Sequence, residues 1–242
     1  MTHKLNRIVL LSACSIVISM FTLAAAPCAP GTLATYIALG ATGCTVGGDT
    51  FFNFGLLDNG IGGLPATAID VGGVGPSGTP GASSTISAFP NDLGVDFNAV
   101  WGPLASGTLD DTITFDVSVG GGAANITDAG IVQSTATGPS GSSVTVTEGG
   151  CSGIVYPCTQ TWGVNTGDIS PFSSISDTIF SATGTLSVTK DIALSGAGAN
   201  LSNVADVFSS SPVPEPRALS FLLGLGLVAG FAFRKKFQSA RA

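Results

Sequence analysis

Residues 112–119 read TITFDVSV, with an apolar side chain at every second position. Ile113, Phe115, Val117 and Val119 share one side, and Thr112, Thr114, Asp116 and Ser118 share the other. A period of two fits a strand with one buried and one wet face, and it cannot build one face of a helix. The surrounding chain agrees. From residue 27 it is rich in Val, Ile, Thr and Phe and is broken by Gly, Pro, Asn and Asp. It lacks the Ala/Leu/Glu/Lys/Arg mixtures that favour helices, and no helix is predicted there. Further strands are predicted at 50–57, 85–89, 95–101, 129–134, 143–147, 159–164, 178–182, 185–193 and 204–208. Many short strands at this spacing predict an all-β body, an antiparallel β-sandwich or jelly roll. The stretch 72–84 (GGVGPSGTPGASS) reads as a flexible loop or the tip of a long hairpin.

The two ends differ from the body. Residues 1–26 read as a secretory signal: Lys4 and Arg7, an apolar run from Ile8 to Leu23, then the small residues Ala24, Ala25 and Ala26. Leu11-Ser12-Ala13-Cys14 has the look of a lipoprotein cleavage box, but the apolar run continues well past Cys14. Cys14 therefore reads as part of a signal helix. The expected organisation is a signal at 1–26, an exported domain at 27–208, a Ser/Pro linker at 209–217, a transmembrane helix at 218–233 and a basic cytoplasmic tail at 234–242. The body is long enough for one domain with a real core.

Charge decides what the body does not do. Of eight Lys and Arg, seven lie in the ends, and Lys190 alone is in the body. The sole His, His3, is in the signal, whereas fourteen of the fifteen acids are in the body, which gives 1 − 14 = −13. Nucleic-acid binding needs Lys and Arg against phosphates, so it is excluded as a function. Without His, no Ser–His or Cys–His nucleophile can be built. Without Arg, and with one Lys, there is no phosphate clamp. The expectation is a non-enzymatic body with no catalytic residues.

Four cysteines remain after signal removal: Cys28, Cys44, Cys151 and Cys158. An even number in an exported chain predicts disulfides. Pairing Cys28–Cys44 and Cys151–Cys158 closes the shortest loops. No Cys-x-x-Cys spacing or body His supports zinc. No resident cofactor is expected. Calcium is the one metal with candidate ligands, Asp92, Asp96, Asp110, Asp111 and Asp116 near strand ends. Their spacing fits no EF-hand loop, and aspartate in strand-end turns is the simpler reading.

The C-terminal end is organised differently again. Pro212, Pro214 and Pro216 fix the backbone at alternate residues and hold the segment extended. Sixteen uncharged residues follow, 218–233, and then Arg234, Lys235 and Lys236. As a helix the run spans roughly 24 Å against a hydrocarbon layer of about 30 Å, a short span. Positive residues on the inner side place the body outside the cytoplasmic membrane, as the signal does.

Pro214-Glu215-Pro216, an apolar helix and Arg234-Lys235-Lys236, in this order, resemble the PEP-CTERM sorting signal of Gram-negative bacteria. The resemblance covers about residues 213–237. It implies an exported substrate of an exosortase-type enzyme, held in the inner membrane with its body in the periplasm. That substrate is then processed for the cell surface or extracellular matrix. It also implies an association with exopolysaccharide, and a structural role for the body. More weakly, 43–51, 144–148 with Cys151, and 188–192 resemble pieces of uncharacterised exported proteins of that kind, which implies no activity. Two other readings remain. A carbohydrate-binding module would present Trp101 and Trp162 on one face. A carboxylate glycoside hydrolase would set two carboxylates about 5–10 Å apart across a cleft.

Overall fold

A computed structural model of the chain describes residues 25–58, 62–103, 105–120, 124–134, 136–152, 162–165 and 174–212. The predicted signal helix and everything from residue 213 onward lie outside the described residues. No described helix is long and apolar enough to cross a membrane.

The body is an all-β sandwich of two sheets. The strands are β1 (Ala26–Pro27), β2 (Gly31–Thr32), β3 (Cys44–Val46), β4 (Asp49–Asp58), β5 (Asp70–Val74), β6 (Leu93–Trp101), β7 (Thr108–Val119), β8 (Ala124–Ser134), β9 (Ser143–Ser152), β10 (Trp162–Asn165), β11 (Ser174–Thr183), β12 (Thr185–Ser195) and β13 (Leu201–Pro212). The first sheet runs β1-β3-β4-β7-β12-β9-β10 and the second β11-β8-β13-β6-β5-β2. Among the described ladders only β1–β3 is parallel. The last two strands are adjacent in sequence but not in a sheet. β12 lies between β7 and β9 in the first sheet, and β13 lies between β8 and β6 in the second. Each sheet therefore receives one of these strands near its middle.

Alternation explains the core. On β7, Leu109, Ile113, Phe115 and Val117 face inward, and Phe115 is the hub of a ring cluster. Its centroid lies 5.6 Å from Phe54, 6.0 Å from Phe97, 6.2 Å from Phe208 and 6.4 Å from Phe51. Burying each such ring contributes about 2–3 kcal/mol.

Two sequence expectations are corrected. Residues 85–89 form turns, not a strand. The run 72–84 lies in the long connection of the β5–β6 hairpin, the second of its two sequence readings: Gly72, Gly73 and Val74 belong to β5, and Ser83 N–H donates to Gly73 O at 2.8 Å. Ile86 and Phe89, the apolar residues that suggested a strand, pack instead on Val74, Val132, Ala205 and Val207 across the outer face of the second sheet. A helix, α1 (Leu33–Leu39), also forms where none was expected. The Thr32 hydroxyl caps it by accepting from Thr35 N, and Gly40 ends it at a φ of 54°. At seven residues it is too short to leave a helical period in the sequence. Tyr36 anchors it, stacking edge-on to Phe54 at 5.1 Å and donating its hydroxyl to Ala29 O at 2.9 Å.

Cys28 and Cys44 form a disulfide across 16 residues, as spacing predicted. Cys151 is also disulfide-bonded. Its expected partner, Cys158, lies outside the described residues. The first bridge holds the N-terminal segment to β3, where little else buries it. Replacing Cys28 and Cys44 together by Ser is expected to lower unfolding free energy by roughly 3 kcal/mol, read from urea denaturation under oxidising conditions.

Candidate functional site

The sequence TLSVTKDIALS of β12 alternates, with Leu186, Val188, Ile192 and Leu194 in the core row. Lys190 occupies the middle of that row. On β9, Val144 and Val146 lead to Glu148 in the same way, and on β13, Val204 and Phe208 flank Asp206. Three charged residues thus stand where the pattern demands apolar ones. All three side chains are fully buried.

Register brings them together. Glu148 is directly opposite Lys190 across the β9–β12 ladder. Asp206 reaches Lys190 from the opposing sheet. Lys190 Nζ lies 3.0 Å from Glu148 Oε2 and in direct contact with Asp206 Oδ1. The lateral neighbours are apolar and buried: Ile113 opposite Lys190 on β7, and Val95 and Ile131 on either side of Asp206. A Cβ on Gly94 would meet Asp206 O at 1.8 Å, so only glycine lets β6 approach here. The contacts are short, but neither Nζ nor any of the four carboxylate oxygens has a partner in hydrogen-bond geometry.

The electrostatics follow from burial and charge count. Burial opposes the Lys190 ammonium, but Asp206 and Glu148 together outweigh it and raise its pKa. Burial and then the Glu148 charge push Asp206 well above the usual carboxylate range, with Lys190 pulling back. One ammonium beside two carboxylates would leave a net negative charge in an apolar core. A proton on Asp206 removes it.

The aspartates considered for calcium are spread over the molecule and engaged in the fold. Asp92 accepts from Ser209 Oγ at 2.8 Å. Asp96 accepts from Ser84 Oγ and Asn98 Nδ2, each at 3.2 Å, tying the loop 75–92 to the second sheet. Asp111 accepts from Trp101 Nε1 at 2.8 Å and from Leu64 N at 3.0 Å. Asp116 accepts from Ser187 Oγ at 2.6 Å and Asn53 Nδ2 at 2.7 Å. Asn53 sits at a φ of 53° within a bulge of β4, a conformation Asn tolerates, and the bulge aims its amide at Asp116. Asp191 lies beside Asp110, and its pKa rises to about 6 through burial first and its neighbour Asp110 second. Among the described residues no three His, Cys, Asp or Glu side chains converge as metal ligands.

Trp101 is fully buried and offers no stacking face. The Trp162 side chain lies outside the described residues, as do Pro214, Glu215, Pro216, Arg234, Lys235 and Lys236. A depression of about 240 Å³ is lined by Leu56, Gly63, Leu64, Pro65 and Asp111. Its carboxylate is already occupied by Trp101 and Leu64.

No protein-family model matches the chain, and comparison with curated proteins finds no match. Among solved structures it is similar to the enzymatically active domain of tailspike protein 4 of bacteriophage CBA120, at 7% identity and a TM-score of 0.31. That match covers 70% of this chain and 20% of the tailspike chain, so this chain spans only a fifth of it. It is also similar to a chain of broad bean stain virus, at 13% identity and a TM-score of 0.26, covering 41% of this chain and 69% of that one. Likenesses this slight carry no argument about function.

Asp49 gives the body a pH dependence. It is buried, its Oδ2 has no hydrogen-bond partner, and burial raises its pKa to about 7. The unfolded carboxyl titrates near 4, so between about pH 4 and 7 the folded state holds a proton the unfolded state has lost. Stability contributed by that proton is present below about pH 4 and lost as pH rises through 7. Asp49→Asn is expected to change little near pH 4 and to stabilise the fold near pH 8 by on the order of 3 kcal/mol, measured by denaturant titration at both pH values.

Proposed function

We propose that the chain is an exported structural protein of the cell surface or extracellular matrix, sorted by its C-terminal tail and not an enzyme. The observation that carries this reading is the junction between body and tail. β13, a strand inside the second sheet, runs to Pro212, and Pro214-Glu215-Pro216 begins two residues later. The described sandwich therefore ends two residues before this proline-rich run, which its alternate prolines predispose to extended conformations. A run so predisposed would lose little entropy when a processing enzyme binds it.

In this reading residues 1–26 direct export, 218–233 form the transmembrane helix and Arg234, Lys235 and Lys236 stop transfer. The body then stands in the periplasm until an exosortase-type enzyme removes the tail and releases it toward the exopolysaccharide matrix. Glu215 supplies the charge a basic group of that enzyme would pair with. The disulfides suit an oxidising compartment. The engaged aspartates and the buried Trp101 support a structural body over a catalytic or sugar-binding one.

In cells that produce the protein, Glu215→Ala is expected to leave the tail-bearing form in the membrane fraction, with little processed body at the surface. Tail removal and surface release at the wild-type rate would overturn the role of Glu215 as the recognised charge.

A further inference from the structure

We propose that Lys190 and Asp206 become joined by an intramolecular amide bond that welds the two sheets together, with Glu148 as the proton carrier. This goes beyond the sorting reading and stands without it, because it rests only on the core.

Four observations carry it. Lys190 and Asp206 are in direct contact, amine to carboxyl, with Glu148 Oε2 3.0 Å from the same nitrogen. All three side chains are fully buried. Their five polar atoms lack hydrogen-bond geometry, so the arrangement is a poor ionic network. The ladder neighbours of Lys190 and Asp206 beyond Glu148 are the apolar, buried Ile113, Val95 and Ile131, so the pair meets in a nonpolar stretch of the core. A close amine and carboxyl held by two rigid sheets have the proximity that replaces an encounter, with effective molarities of about 10⁵ M or more in favourable cases. Amide formation also removes the burial cost of the ions.

The chemistry balances without a co-reactant. The reaction starts from a Lys190 ammonium, a Glu148 carboxylate and an Asp206 carboxylic acid. Glu148 takes a proton from Lys190, leaving a neutral amine. The nitrogen lone pair attacks Asp206 Cγ, forming the N–C bond and a tetrahedral centre. Glu148 relays a nitrogen proton to the departing hydroxyl, the C–O bond breaks and one water leaves. The products are a neutral amide, one water and Glu148 with the remaining proton. Nothing is oxidised or reduced.

The body makes the test direct, because Lys190 is its only Lys or Arg. The full chain is purified, reduced, unfolded and weighed by mass spectrometry, and then treated with trypsin. The expected mass of the wild type is one water below that of its reduced, end-processed sequence, and the Lys190–Asp191 bond stays uncut. Glu148→Gln, which keeps the side-chain shape, is expected to regain the water and the cleavage. Asp206→Ala is expected to do the same, and circular dichroism shows whether each variant still holds its strands. A wild-type chain of full mass that trypsin splits at Lys190 overturns the proposal, whatever the variants do. Water loss that persists in Glu148→Gln overturns the assignment of the proton carrier. Loss that persists in Asp206→Ala overturns the assignment of the acceptor.

Discussion

The meeting of Lys190 with Glu148 and Asp206 constrains the whole sandwich. A lone cation inside an apolar core is tolerable only where two carboxyls reach it, and those come from different strands and different sheets. Side chains alternate along a strand, so a slip of one residue in β9, β12 or β13 would turn one partner out of the core and strand the others. Ordinary apolar rows could re-pair at neighbouring offsets with modest loss. The charged cluster discriminates strongly between registers, and it sits near the middle of both sheets, where register errors would spread furthest.

The acids of the body serve two populations of contacts. Lys190 engages one set in the core. Asp96, Asp111 and Asp116 form another, each accepting from donors on other segments. They hold loops and bulges against the sheets: Ser84 onto β6, Leu64 and Trp101 at one end of the sandwich, Asn53 onto β7. An acidic composition can therefore build the fold as well as its solubility. A body with one Lys or Arg must satisfy carboxylates largely with hydroxyl, amide and indole donors, which Ser, Thr, Asn and Trp supply.

The long strands were legible because period two survives over many residues, as in TITFDVSV of β7 and TLSVTKDIALS of β12. β1, β2 and β3 are too short to show a period, and β5 is glycine-rich, so its pattern looks like loop. Ile86 and Phe89 misled for a physical reason: they are buried by lying across a sheet, not by joining one. The central cluster was half visible. Lys190 stood out as the one Lys or Arg of the body, whereas neither Glu148 nor Asp206 was singled out as its partner. What a single strand could not show is which rows face one another, because that depends on β12 and β13 entering different sheets. The sorting residues 214–216 and 234–236 were read from order and composition, and the described fold adds only their point of attachment.

That point of attachment has a mechanical consequence. β13 is bonded along its length to β6 on one side and β8 on the other, and its C-terminal end leads out of the sandwich. A pull transmitted from the C-terminal side acts along the strand axis. It loads both ladders in shear, with many backbone hydrogen bonds sharing the force at once. An edge strand pulled crosswise would unzip them one at a time. Resistance to such force is set by the unfolding rate more than by equilibrium stability. The sandwich thus meets tension from its C-terminus through a strand held on both sides.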